Sequence, residues 1–348
     1  MVLRYGSARF REIIAVSTKQ AVIEHLKICR LDHWLKNIFI VFGHAVAVVL
    51  IFDLEFKASM IGTIILSLIP ACFIASANYI LNEILDAPFD RQHPTKKLRG
   101  VAAGKVSVPI LWAMKVAFII IGFTMAWLCF ENPGYIAALG LLLLSGFVYN
   151  IPPVRLKDRA YLDVIAESFN NPIRLWLGWY ALVPANAEAA AAAGVENYGW
   201  YMPPMAIMLA WWFFGALLMT GKRYAEFRFI GNAEQSGLYR ESFKVYTQRR
   251  LIIAMITYAN LFCFCTGVAL TDNEEMRNLI LAFPAIIVAV IAYFKHAMSE
   301  VGAKLEPEQL LRKPAIIFAT LITVLIAIAL LYAHKTGVLH SDQILKWL

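Results

Sequence analysis

An all-α polytopic membrane protein of about nine spans is the fold class the sequence predicts, and three observations predict it. Hydrophobic residues make up 60% of the 348 positions and charged residues only 16%, a balance too apolar for an ordinary soluble domain. The apolar residues fall into runs of about 18 to 22, the length at which a helix crosses a bilayer. The cations are also partitioned. Of the 32 lysines and arginines, all but Lys57, Lys115, Arg174, Arg277, Lys335 and Lys346 fall in the N-terminal segment, in the connections after the second, fourth, sixth and eighth runs, or, as Lys36 and Lys295, at the ends of the spans that adjoin them. Cation-rich connections stay on the cytoplasmic side, which puts the N-terminus inside and, with nine spans, the C-terminus outside the plasma (inner) membrane.

Taken in order, the N-terminal segment 1–34 is expected to be cytoplasmic. Ile13, Ile14, Val22, Ile23 and Leu26 offer an apolar face for a surface helix over 8–28. The first span, 36–54, follows Trp34 and Lys36, ordinary interfacial anchors, and starts too late for a cleaved leader. Spans 60–81 and 108–130 flank a highly charged connection. Spans 134–151 and 162–183 flank a second one. Asp163, Glu167, Asn170 and Arg174 recur at helical spacing in the fifth span, and ionisable groups at such depth face a polar cavity or each other. PANAEAAAAAGVENYG, 184–199, reads as a flexible external loop. Span 200–220 runs into the basic TGKRYAEFRF, and spans 251–270, 278–297 and 314–334 complete a membrane domain over 35–336, leaving an external tail, 337–348.

The net charge of +8 follows from the cytoplasmic bias and suits anionic lipids, so it gives no reason to expect nucleic acid. The five cysteines lie scattered through apolar runs with no ligand spacing, which points to packing rather than zinc or disulfides. The bilayer is the partner the composition requires, and self-association is left open.

The chemistry concentrates in NEILDAPFDRQHPTKKLRG, residues 82–100. Asn82, Asp86 and Asp90 recur every four residues, which on a helix gives one face, although Pro88 would interrupt that helix or start a new one. Oxygen donors on one ridge suit a hard cation such as Mg²⁺, which shares its coordination with substrate phosphates. Arg91, His93, Lys96 and Arg99 follow as donors for phosphate oxygens. The plainer alternative is a solvated loop whose acids pair with its own bases.

These residues resemble the first acidic motif, NDxxDxxxD, of the UbiA superfamily of intramembrane prenyltransferases, with Glu83 in place of the first aspartate. The resemblance runs from about Arg30 to the last span. It implies a helical bundle around a cavity open at the cytoplasmic side, with Mg²⁺ (or Mn²⁺) on Asn82, Asp86 and Asp90 and Glu83 as a further candidate ligand. Members with aromatic acceptors carry a second acidic motif after the sixth span. This chain has Lys222, Arg223, Tyr224 and Glu226 there, which together with DRQHPTK and RLDHWLKN looks like the branch that couples a polyprenyl phosphate to phosphoribosyl diphosphate (PRPP). That likeness implies substrate contacts from Lys222, Arg223, Tyr224 and Glu226, from Arg91, His93, Lys96 and Arg99, and from Tyr149, Lys157, Asp163, Arg174 and Lys36. An aspartate at the cavity mouth, Asp163, would accept ribose hydroxyls. A UbiA-type transferase acting on an aromatic acceptor and a secondary transporter are the rival readings.

Overall fold

The computed structural model describes residues 20–91, 96–230, 241–299 and 314–339, and every regular element among them is helical. A helix over 20–28 and a 3-10 helix, Leu31–Ile38, lead into α1, Phe39–Leu50. Then follow α2 (Ser59–Asp90), α3 (Val108–Cys129), α4 (Pro133–Asn150), α5 (Leu162–Ser168), α6 (Asn170–Leu182), α7 (Met205–Ile230) and α8 (Gln248–Asp272). A 3-10 helix, Glu274–Ala282, runs into α9 (Phe283–Met298), and α10 spans Pro314–Lys335. Among the described residues, eight helical stretches are long and apolar enough to cross a bilayer.

The remaining predicted span, 162–183, takes the form of two consecutive helices, α5 and α6, that meet at Phe169. Neither alone is long enough to cross, and Asp163, Glu167 and Arg174 lower their hydropathy, because this pair builds part of a polar cavity instead of a lipid-facing rod. The sixth span starts later than expected, at Met205 just after Pro203 and Pro204, and runs ten residues beyond position 220. The stretch 184–199, expected as an external loop, is not all loop. Asn186 accepts the Ala189 amide at 2.9 Å, so Ala187–Ala193 forms a capped helix that ends at Gly194, φ 75°. Within the expected surface helix, 20–28 is helical with Val22, Ile23 and Leu26 exposed. Ile13 and Ile14 lie outside the described residues, as does the tail from 340 onward.

Outward faces are apolar, as at Trp127 and Leu128 of α3, whereas one core centres on Ile40, Tyr135, Leu175 and Trp179, where α1, α4 and α6 meet. A second gathers Leu217, Phe243, Tyr246 and Met255 between α7 and α8. Asn132 ties the first core down. It caps α4 by accepting the Gly134 amide at 2.8 Å and donates to the Val183 and Gly199 carbonyls at 3.0 and 3.2 Å. Asn132→Ala removes the cap and strands buried carbonyls, and a loss of about 2 kcal/mol is expected, read as a lower thermal midpoint in detergent.

Candidate active site

Helix α2 runs unbroken through Pro88 to Asp90, so the expected interruption does not occur. Pro88 sits in the last turn, so the bond that it removes is one of the final ones of the ladder and little helix lies beyond it to be broken. Asn82, Asp86 and Asp90 consequently share a face, and all three line a cavity of about 320 Å³. The ends of α2, α4 and α7, the α5–α6 pair and the segment before α1 enclose this cavity, at the end of the bundle that carries the cation-rich connections.

One wall is the α2 ridge. The Lys157 ammonium donates to Asn82 Oδ1 at 3.2 Å, to Asn150 Oδ1 at 2.9 Å and to the Asp86 carboxylate. Arg155, on a backbone with φ 28°, reaches Asp86 at 3.3 Å and Asp158 at 2.6 Å, with its guanidinium 4.8 Å over the Phe89 ring. Arg99 holds Asp90 at 2.8 Å. The carboxylates do pair with cations, as the solvated-loop alternative anticipated, but two of the partners, Lys157 and Arg155, come from the connection after α4, and the ridge faces a cavity. Asn78, one turn earlier on α2, also lines it.

A second group of lining residues is built around Arg223, which is 2% exposed. Its Nε donates to Asp163 at 2.9 Å, Nη1 to Glu226 at 3.0 Å, and Nη2 to Glu167 and to the Tyr149 hydroxyl. Three carboxylates therefore neutralise a guanidinium expected from the sequence to meet phosphate as a bare cation. Lys222, Lys36 and Arg174 also line the cavity. Arg174 donates through Nε to Asn37 at 3.0 Å.

Several expected contacts are placed elsewhere. Asp163 is fully buried and does not line the cavity. Its oxygens are taken by Arg223, by Ser242 at 3.4 Å and by the Tyr246 hydroxyl, so it anchors the wall from behind instead of standing at the mouth. Burial first, and then the Asp163 carboxylate, raise the Tyr246 hydroxyl above the usual tyrosine range, keeping it a proton donor. Tyr224 packs in the second core under the Arg228 guanidinium, 5.7 Å from the ring centroid, because its position on α7 turns it away from Arg223 and Glu226. Arg91 is exposed and is not among the lining residues. His93 and the Lys96 side chain lie outside the described residues.

Glu83 is 6% exposed and is not among the residues that line the cavity, although at about 100° per residue it stands on the same helix face as Asp86 and Asp90. Glu83→Gln is expected to leave turnover near that of the unaltered chain, and a loss as deep as that of an Asp86 variant would return Glu83 to the site. Lining residues not foreseen include Arg30, Asn78, Asn150 and Asp158, whereas Glu167 lines the cavity as the helical spacing of the fifth span allowed. Asn78 extends the four-residue period of the ridge by one turn, a signal present in the sequence. Arg30 left no such signal.

A model of the UbiA prenyltransferase family matches residues 37–304. The chain belongs to this family. Among curated UbiA-type relatives, the decaprenyl-phosphate phosphoribosyltransferase of Mycolicibacterium smegmatis is 25% identical over 263 residues, 75% of this chain and 74% of that protein. The Corynebacterium glutamicum protein of the same name is 28% identical over 226 residues, 64% of this chain and 59% of that one. A solved UbiA homolog from Archaeoglobus fulgidus, bound to DMAPP and Mg²⁺, superposes with a TM-score of 0.63 over 89% of this chain and 99% of that one, at 19% identity. That likeness is one of fold: a multi-helix membrane bundle.

Proposed function

We propose that this UbiA-family chain transfers the 5-phosphoribosyl group of PRPP to a polyprenyl phosphate of the decaprenyl type and releases diphosphate. The step would be an early one toward polyprenyl-phosphate arabinose for cell-envelope glycans, carried out at the cytoplasmic face of the plasma membrane. One observation carries the reading. A single cavity sets the oxygen ridge Asn82, Asp86 and Asp90 on one helix and the cations Lys222, Lys36 and Arg174 on other elements, an arrangement suited to a donor whose diphosphate and 5-phosphate lie at opposite ends of a ribose. The names of the mycobacterial and corynebacterial relatives agree with it.

The donor set fits a hard divalent ion. Oxygens of Asn82, Asp86 and Asn150 already converge on one cation, the Lys157 ammonium, and such oxygens suit Mg²⁺, with Mn²⁺ an alternative. Mg²⁺ is bound in the solved Archaeoglobus homolog. Asn82, Asp86 and Asp90 would hold the ion together with the donor's diphosphate, and when bound it supplies neutralisation of the leaving charge.

The residues of the chain do the rest. Arg99, Arg155 and Lys157 surround the diphosphate end with positive charge, while Lys222, Lys36 and Arg174 orient phosphate oxygens. The acceptor phosphate is already anionic near neutral pH, so no general base is needed to create the nucleophile. Its oxygen forms a bond to the anomeric carbon as the bond to diphosphate breaks and the electron pair departs with diphosphate. Positioning for this in-line displacement, with inversion, is the main service of the cavity.

Purified protein in detergent with PRPP, Mg²⁺ and polyprenyl phosphate should yield the phosphoribosylated lipid by mass spectrometry, and chelation of the metal should stop its formation. Product without a second compartment would dispose of a purely transport role. Prenylated hydroxybenzoate formed from a prenyl diphosphate, with no product from PRPP, would replace the proposal with an aromatic prenyltransferase.

A further inference from the structure

We propose that Tyr246 is a positioning residue for this transfer, fixing Asp163 and the start of α5 and, through them, the Arg223 guanidinium on the cavity wall. The inference rests on reading the cavity as a diphosphate-donor site. Tyr246 is 2% exposed and lies behind the wall, just before α8. Its hydroxyl accepts the Tyr161 amide at 2.7 Å and donates to Asp163 Oδ1. Tyr161 stands at φ 68°, ψ −39°, a backbone region that residues other than glycine rarely occupy and that persists where surrounding contacts hold it.

The same hydroxyl thus secures both a strained turn and the carboxylate two residues further on. Asp163 has no exposed surface, so its orientation depends on its donors: Arg223 Nε at 2.9 Å, Ser242 Oγ at 3.4 Å and Tyr246. Arg223 in turn fixes Glu167, Glu226 and Tyr149, all of which line the cavity. A residue that touches no substrate therefore sets the angle of four that face it. The Tyr246 ring packs edge-on against Tyr161 and Phe243, with centroids 5.4 and 5.9 Å away, and phenylalanine at 246 keeps that packing while deleting the hydroxyl.

The test is calorimetric titration of PRPP with Mg²⁺ into the full chain in detergent, beside thermal midpoints. Tyr246→Phe is expected to weaken PRPP by about tenfold, the scale of one hydrogen bond to a buried charge, with a midpoint close to that of the unaltered chain. Ser242→Ala, which removes the longer contact to the same carboxylate, should shift affinity the same way by less. Phe243→Leu, which loosens the same segment without touching Asp163, should lower the midpoint and leave affinity unchanged. Wild-type affinity in Tyr246→Phe and Ser242→Ala, or an equal loss in Phe243→Leu, would overturn the role. Geranyl diphosphate is titrated in parallel. If the unaltered chain bound it and not PRPP, the proposed donor would fall, and the same comparison read with geranyl diphosphate would still decide the role of Tyr246. Binding of neither donor would overturn the role as well.

Discussion

Asp86→Ala should lower transfer of phosphoribose to polyprenyl phosphate by at least about a thousandfold while the protein still folds, because the substitution removes charge where the leaving diphosphate must be held. The structure explains why folding survives. The Asp86 side chain is 20% exposed, and the Lys157 ammonium keeps Asn82 and Asn150 as acceptors once the carboxylate is gone. Arg155 keeps Asp158. Both cations keep acceptors and the Asp86 side chain is partly open to water, so the penalty for breaking the pair is reduced. Asp90→Ala should behave alike, since Arg99, 30% exposed, can turn to water. The measurement is turnover by mass spectrometry together with gel-filtration profile and thermal midpoint. Near-normal turnover in either variant would end the assignment of the ridge as the diphosphate end of the site.

Much of this site was legible in the sequence, and the reasons differ residue by residue. The ridge was visible because a period of four depends only on helix geometry, and it holds although Pro88 argued for a break. The same arithmetic would have added Asn78. The basic wall was misjudged in character because burial is not a local property: Lys222 and Arg223 read as two bare cations, whereas Arg223 gathers Asp163 and Glu167 from another helix. Asp163 was expected at the cavity mouth because an aspartate there could accept ribose hydroxyls, but the tyrosine and serine that enclose it lie some 80 positions away. Eight of the nine predicted spans fall on helices long and apolar enough to cross, and the reading missed that the other would be split into α5 and α6, although Pro172 in the first turn of α6 is a signal for a break there. Arg155, which reaches Asp86 across 69 positions, is a contact no window could anticipate.

Gly178→Ala is expected to cost more stability than any other single methyl added to a helix facing this cavity, about 3 kcal/mol or more. A β-carbon at Gly178 would stand 2.0 Å from the Ile40 carbonyl oxygen and 2.8 Å from the His44 amide nitrogen, and one at Gly43 would stand 2.1 Å from the Leu175 carbonyl oxygen. The two glycines therefore let α1 and α6 cross backbone to backbone, as small residues do at membrane helix interfaces. Core overpacking commonly costs about 1 to 3 kcal/mol where side chains can yield. Here the obstacles are backbone atoms of a second helix, so the helices themselves must separate. Gly140→Ala in α4 is the control: nothing lies within 4 Å of its added carbon, and replacing a helical glycine there should be neutral or stabilising by up to about 1 kcal/mol. Thermal midpoints of the two variants in one detergent make the comparison, and equal midpoints would refute the close crossing. A second consequence reaches the chemistry. Arg174 lies one turn from Gly178 on α6, and its Nε is bonded to Asn37 just before α1, so any Gly178→Ala protein that folds should bind polyprenyl phosphate or PRPP more weakly than the Gly140→Ala protein. Parting α1 from α6 draws the guanidinium off the position from which it would meet a phosphate in the proposed reading.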